Sequence, residues 1–141
     1  MLLACSHLLL ASDDVPRISA FFGDAFGVTA QFENEMFSDF VLSSRFRVAF
    51  FKPVGASALS FQVSADRGAA AFGVTVSDVD ATYATLASMA ETAGTAGAGI
   101  LLSGPPKDHE WGEKSFLLTD PDGNRWEIAQ APSDDGMLTD R

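Results

Sequence analysis

Apolar and polar positions along the chain fall into two halves with the same order. Leu8, Leu9 and Leu10 form a short apolar run, Ser12-Asp13-Asp14-Val15 follows, and Val15, Ile18, Phe22, Ala25 and Phe26 then recur at helical spacing. Pro16 sits early in that helix and Gly27 where it should stop. The same logic returns 64 residues later. Phe72, Val74 and Val76 alternate as in a strand, Val76-Ser77-Asp78-Val79 takes the place of Ser12-Asp13-Asp14-Val15, and Val79, Tyr83, Leu86, Ala90 and Ala93 mark a helical face that Gly94 should end. Strand-like stretches follow each helix: 29–33, 37–43 and 46–53 in the first half, 100–103, 114–119 and 125–130 in the second.

Each half therefore reads βαβββ, the first over about residues 4–53 and the second over about 69–131. The connector 54–68 contains one further extended candidate, Leu59 to Val63. Neither half alone covers its sheet. The pattern predicts one α+β domain over residues 1–131, in which two βαβββ modules form a curved mixed sheet, helices on the outer face and a partly apolar cleft on the other. Pro132 to Arg141 is acidic, lacks periodicity and reads as a flexible tail.

The clearest local signal is the run from Leu117 to Ala129, which reads as strand, tight turn, strand around Asp120-Pro121-Asp122-Gly123-Asn124. Pro121 presets φ, Asp122 has a side chain able to bond its own backbone, and Gly123 supplies a positive φ with a bulge. Alternation then separates Arg125, Glu127 and Ala129 from Trp126 and Ile128. If Trp126 and Ile128 pack under the helices, Glu127 opens onto the other face. On the first strand the same rule groups Cys5, His7 and Leu9.

Composition narrows the function. Of 141 residues, 47% are hydrophobic and twelve are phenylalanine, enough for a core without staples. A formal net charge of −10 excludes the counterion displacement on which nucleic-acid binding relies, disfavours anionic membranes and suits cationic ligands. The single Cys5 forms no internal disulfide and fits a reducing, cytoplasmic setting. Leu2-Leu3-Ala4-Cys5 has the form of a lipoprotein cleavage box, but lacks the basic segment and apolar run of a signal, so the match reads as coincidence.

With paired βαβββ halves, the Asp120 to Asn124 turn and Glu127, the chain resembles the vicinal oxygen chelate superfamily, which holds glyoxalases, bleomycin-resistance proteins and extradiol dioxygenases. The likeness spans about residues 4–131. It implies metal ligands at the first and last strands of each half, pointing into the cleft. His7 matches the first-strand position of half one and Glu127 the last-strand carboxylate of half two. The 64-residue offset carries His7 onto Ala71, and Phe46 to Phe51 offers no Asp, Glu, His or Gln. Two implied ligands remain where an open site wants three protein donors. Glu35, Asp39, His109 or Glu110 from loops, or a second subunit, are the candidates to complete a metal set.

The expectation is accordingly a metal-free protein that sequesters a small molecule such as a cationic antibiotic, with no cofactor. The candidate ligand-binding residues are His7, Phe37, Phe51, Trp111 and Glu127. Ala71, Gly73 and Thr75 would leave volume for the guest, and Phe32 and Phe40 are further aromatic candidates. The loop Gly104 to Glu113 could act as a lid, and its Trp111-Gly112 pair matches one that family members carry beside the cleft. The alternative is a lyase, isomerase or dioxygenase-like enzyme using one divalent ion held by His7, Glu127 and further ligands. Duller roles stay open: His7 as a hydrogen-bonding strand residue, Glu127 paired with Arg47 or Arg125, and Trp111 as packing. Cys5 beside His7 lacks the orienting group and oxyanion hole of a nucleophilic site. The resemblance also implies a homodimer.

Overall fold

The computed structural model describes residues 1–61, 63–64, 67, 70–92 and 99–132. The chain divides into two compact units, Met1–Ala65 and Asp66–Arg141. In the first, β1 (His7–Ala11) leads into α1 (Val15–Phe26), followed by β2 (Phe32–Glu33), β3 (Phe37–Val41) and β4 (Arg47–Phe51). The sheet order is β1-β4-β3-β2, with β1 parallel to β4 and the other pairs antiparallel. In the second, β5 (Phe72–Val76) and α2 (Val79–Glu91) precede β6 (Leu101–Leu102), β7 (Lys107–Asp108), β8 (Lys114–Thr119) and β9 (Arg125–Gln130). Its sheet runs β5-β9-β8-β6, with β7 also pairing β8 and β5 parallel to β9.

Both helices start as their sequences predict. The Asp14 carboxylate accepts from the Arg17 amide at 3.1 Å and Asp78 from the Ala81 amide at 3.0 Å, each satisfying one of the amides a helix start leaves unpaired. Asp14→Ala should cost about 1 kcal/mol of stability, measured by denaturant unfolding. Gly27, at φ 66°, ends α1 in the left-handed conformation. Gly23 is needed for another reason: a Cβ there would sit 3.0 Å from the Val28 carbonyl oxygen where the chain folds back along α1.

The first core is aromatic. Phe22 packs at 4.9 Å from Phe40 and 5.6 Å from Phe50, and Val15, Ile18 and Phe21 complete the buried face of α1. In the second unit Val79 and Leu86 of α2 are buried with Phe116, Leu118, Trp126 and Ile128, while Tyr83 meets Phe116 edge-on at 5.2 Å. Ala90, expected on that helical face, is exposed; Ala93 and Gly94 lie outside the described residues, and Thr92 caps α2. An exposed ion pair from Lys114 to Asp80, 2.9 Å long, joins β8 to α2. This hydrogen bond raises the Lys114 pKa above its usual value.

Strand ends differ from expectation where the backbone runs out of partners. The first-half stretch 29–33 narrows to Phe32–Glu33, and 37–43 stops at Val41, where a reversal through Arg45 at φ 74° begins. Expected strand 46–53 is Arg47–Phe51, since Lys52 already bonds Met36 and Pro53 has no N–H to continue. In the connector, Gly55–Leu59 forms a 3₁₀ helix, and among the described residues of 59–63 no strand forms. The expected lid loop is instead a second hairpin: β7 pairs with β8, the His109 amide bonds the Glu113 carbonyl at 2.8 Å, and the Gly112 amide bonds His109 at 2.9 Å. Beyond Pro132 the tail lies outside the described residues.

Candidate functional site

Each sheet packs one face against its own helix, so the opposite face is where functional side chains must be sought. On the first sheet, Val48 and Phe50 turn to α1, and alternation leaves His7, Leu9, Phe37, Asp39, Arg47, Ala49 and Phe51 on the other side. His7, Phe37 and Phe51 share that face, with His7 at the opposite end of the ladder from the two phenylalanines. Phe37 pairs directly with Phe51, and His7 stands across the ladder from Arg47. Phe61 from the connector meets Phe51 edge-on at 4.8 Å. Phe40, a sequence candidate, is instead core. His7 is exposed, and its Nδ1 shares a 2.8 Å hydrogen bond with the Ser6 hydroxyl.

Arg47 is not Glu127's partner. Its Nε and Nη2 meet the two Asp39 carboxylate oxygens at 3.1 and 3.0 Å, the side-on bidentate geometry that suits guanidinium and carboxylate. The pair was legible only once β3 and β4 had set their register.

On the second sheet, Trp126 and Ile128 are buried on the helix side, so Arg125, Glu127 and Ala129 take the other face, as alternation predicts. Glu127 stands between Gly73 on β5 and Leu117 on β8. Ala71, Gly73 and Thr75 are exposed, and a Cβ built on Gly73 would meet nothing within 4 Å. The half-buried Glu127 carboxylate receives no hydrogen bond or ion pair among the described residues.

Trp111 belongs to the same unit and sits in the turn of the unforeseen hairpin. Its ring stacks on His109 at 4.4 Å with 2° between planes, and His109 Nε2 lies 2.7 Å from the Ser115 hydroxyl on the Glu127 face. Trp111 remains 70% exposed, which presents its second ring face to solvent. The turn glycine Gly112, at φ 86°, mirrors Gly123 at φ 90° and is the sequence feature that marks the hairpin holding His109 against Trp111.

The larger miss is Asp120. The Asp122 amide donates to Asp120 Oδ1 at 2.9 Å, as does the Asn124 amide. Oδ2 accepts from Asn124 Nδ2 and Trp126 Nε1, both at 2.9 Å. Asp120 thus ties the turn that starts β9 to the core Trp126, and thereby holds the register that aims Glu127.

Several of the candidate donors are already engaged within their own unit. Glu127 has Gly73 and Leu117 as its ladder neighbours, Asp39 is committed to Arg47, and His109 to Ser115. Glu35 and Glu110 are exposed loop residues. Among the described residues no three His, Cys, Asp or Glu side chains group to hold a metal. A hollow of about 430 Å³ beside the end of α1, lined by Asp24 and Glu33 among others, lies on the helix side of the first sheet, with Glu33 bonded to Ser19 at 2.9 Å. Among the described residues no helix is long and apolar enough to cross a membrane.

Comparison with known proteins agrees with the duplicated fold. No curated protein sequence matches the chain significantly. Among solved structures, a glyoxalase-related enzyme from Fulvimarina pelagi is similar at TM-score 0.73 and 23% identity, over 96% of each chain. A member of the glyoxalase/bleomycin resistance protein/dioxygenase superfamily from Sphaerobacter thermophilus is similar at TM-score 0.67 and 19% identity, over 92% of this chain and 98% of that one. Lactoylglutathione lyase from Agrobacterium tumefaciens is similar at TM-score 0.65 and 20% identity, over 97% and 96%. At these identities the likeness is one of fold. The family model described as Glyoxalase/Bleomycin resistance protein/Dioxygenase superfamily matches residues 4–128, and the chain belongs to that superfamily.

Proposed function

We propose that the protein binds a small planar cation, such as an antibiotic, without a metal and without transforming it. The observation that carries this reading is the Glu127 carboxylate, unpaired among the described residues and standing beside the open space at Gly73. A half-buried carboxylate without a partner gains by taking up a cation. Trp111, held by His109, adds an exposed ring face on which an aromatic cation stacks. Phe37, Phe51 and His7 belong to the other sheet's free face and contribute apolar area there.

Calorimetric titration with 1-naphthylmethylammonium, a readout that every variant retains, tests this. Chelator-dialysed protein should bind with unchanged affinity, and Glu127→Ala and Trp111→Ala should each weaken binding about tenfold, or ~1.4 kcal/mol. Binding that needs one retained equivalent of divalent metal would instead favour the enzyme reading, a lyase, isomerase or dioxygenase-like activity through His7 and Glu127. The reading also takes the protein to act in the cytoplasm as a homodimer, the state superfamily members often adopt; sedimentation at micromolar concentration should give twice the 14.9 kDa chain mass.

A further inference from the structure

The free face of the first sheet carries a charge arrangement that a purely structural ion pair does not need. Asp39 grips Arg47 through Nε and Nη2, at 3.1 and 3.0 Å, along the side edge of the guanidinium. That leaves both N–H bonds of Nη1 and one of Nη2, the end-on fork that matches a second carboxylate. The Asp39 side chain is 11% exposed and that of Arg47 45% exposed, so the anchoring anion is covered while the cation's outer edge faces solvent. A guanidinium held on one edge has already lost its rotamer freedom and binds at low entropic cost.

What surrounds that edge is apolar. Phe32 stands directly across from Asp39 and is 54% exposed, Val41 stands across from Arg47, and Leu9 stands across from Ala49, both exposed. Phe37 lies 6.3 Å from Phe32, centroid to centroid, at a 46° tilt. His7, beside Arg47 on β1, adds an exposed imidazole, a further donor on the same side. Although the chain carries a net charge of −10, repulsion from distant carboxylates is screened beyond about 8 Å at physiological salt.

From this juxtaposition we infer a second binding site, for an aromatic carboxylate: the acid group on the outer fork of Arg47, the ring against Phe32 and Phe37. Its residues all belong to the first unit, and Glu127 belongs to the second. The ¹⁵N-labelled full chain is titrated with 2-naphthoate, 2-naphthamide and 1-naphthylmethylammonium. Naphthoate should give saturable shifts at the Phe37, Asp39 and Ala49 amides and bind at least tenfold more tightly than naphthamide. Arg47→Lys, which keeps the charge and a contact to Asp39 but lacks the fork, should weaken naphthoate at least tenfold and leave the ammonium probe unaffected. Phe32→Ala, at a site too exposed to threaten folding, should weaken it about fivefold. Equal affinity for naphthoate and naphthamide, shifts confined to other residues, or wild-type naphthoate binding by either variant would overturn the site.

Discussion

Replacing Asp120 by alanine should lower the unfolding free energy by about 4 kcal/mol. The reason is the number of donors that one buried carboxylate serves. Two backbone amides, Asp122 and Asn124, point at Oδ1, and the Asn124 side-chain amide and the Trp126 indole N–H point at Oδ2, all at 2.9 Å. Asp120 is 2% exposed, so a methyl group there would strand these donors where little water reaches them, at about 1 kcal/mol or more each. Asp120→Asn keeps the Oδ1 half and sets an amide against the Oδ2 donors, which should cost about half as much. Denaturant unfolding followed by Trp126 fluorescence measures both. A loss below about 1 kcal/mol for the alanine variant would mean that the turn is held chiefly by its two backbone bonds, Asp120 to Asn124 and Gly123 to Asp120. The consequence for function is indirect: β9 would begin less firmly, and Glu127 with it.

Gly73→Leu should abolish binding of the naphthylmethylammonium probe, with a loss of about a hundredfold or more, ~2.7 kcal/mol. Gly73 is the ladder partner of Glu127, its φ is not in the left-handed region, and nothing lies within 4 Å of a Cβ built there. A leucine is therefore sterically free in the unbound protein and fills the volume a guest beside the carboxylate requires. Stability should hold or rise by up to about 1 kcal/mol, because glycine in a strand interior is the costlier residue. This separates occlusion from unfolding, a distinction that Glu127→Ala cannot make by itself. Unchanged probe affinity with a folded Gly73→Leu protein would place the guest elsewhere and remove the ground for the Glu127 reading.

The duplicated pattern, the start and stop of α1 and the side on which Glu127 falls were all legible in the sequence, because each depends on neighbours a few positions away. Asp14 and Asp78 cap amides three residues on, and Gly27 takes a conformation available to it locally. Alternation in β9 needs only one buried neighbour, Trp126 or Ile128, to orient the rest. The hairpin of β7 and β8 was less legible. Its turn repeats the hydrogen bonding of the Asp120 turn, but with His109, Glu110 and Trp111 where that one has Asp120, Pro121 and Asp122.

What the amino-acid order determined without help is the period of each segment and the chemistry it carries: two strand–helix–strand repeats and a carboxylate, Glu127, on the face of its strand opposite the buried Trp126 and Ile128. Only the tertiary structure decided which side chains meet. Arg47 could have served Glu127 as readily as Asp39 on charge alone, and the register of β3 against β4 settled it. Likewise the fold made Asp120 the point where two amides, a carboxamide and an indole converge. Local propensity is written in a few consecutive residues; a partnership across strands exists only after the ladder has brought distant positions to bonding distance.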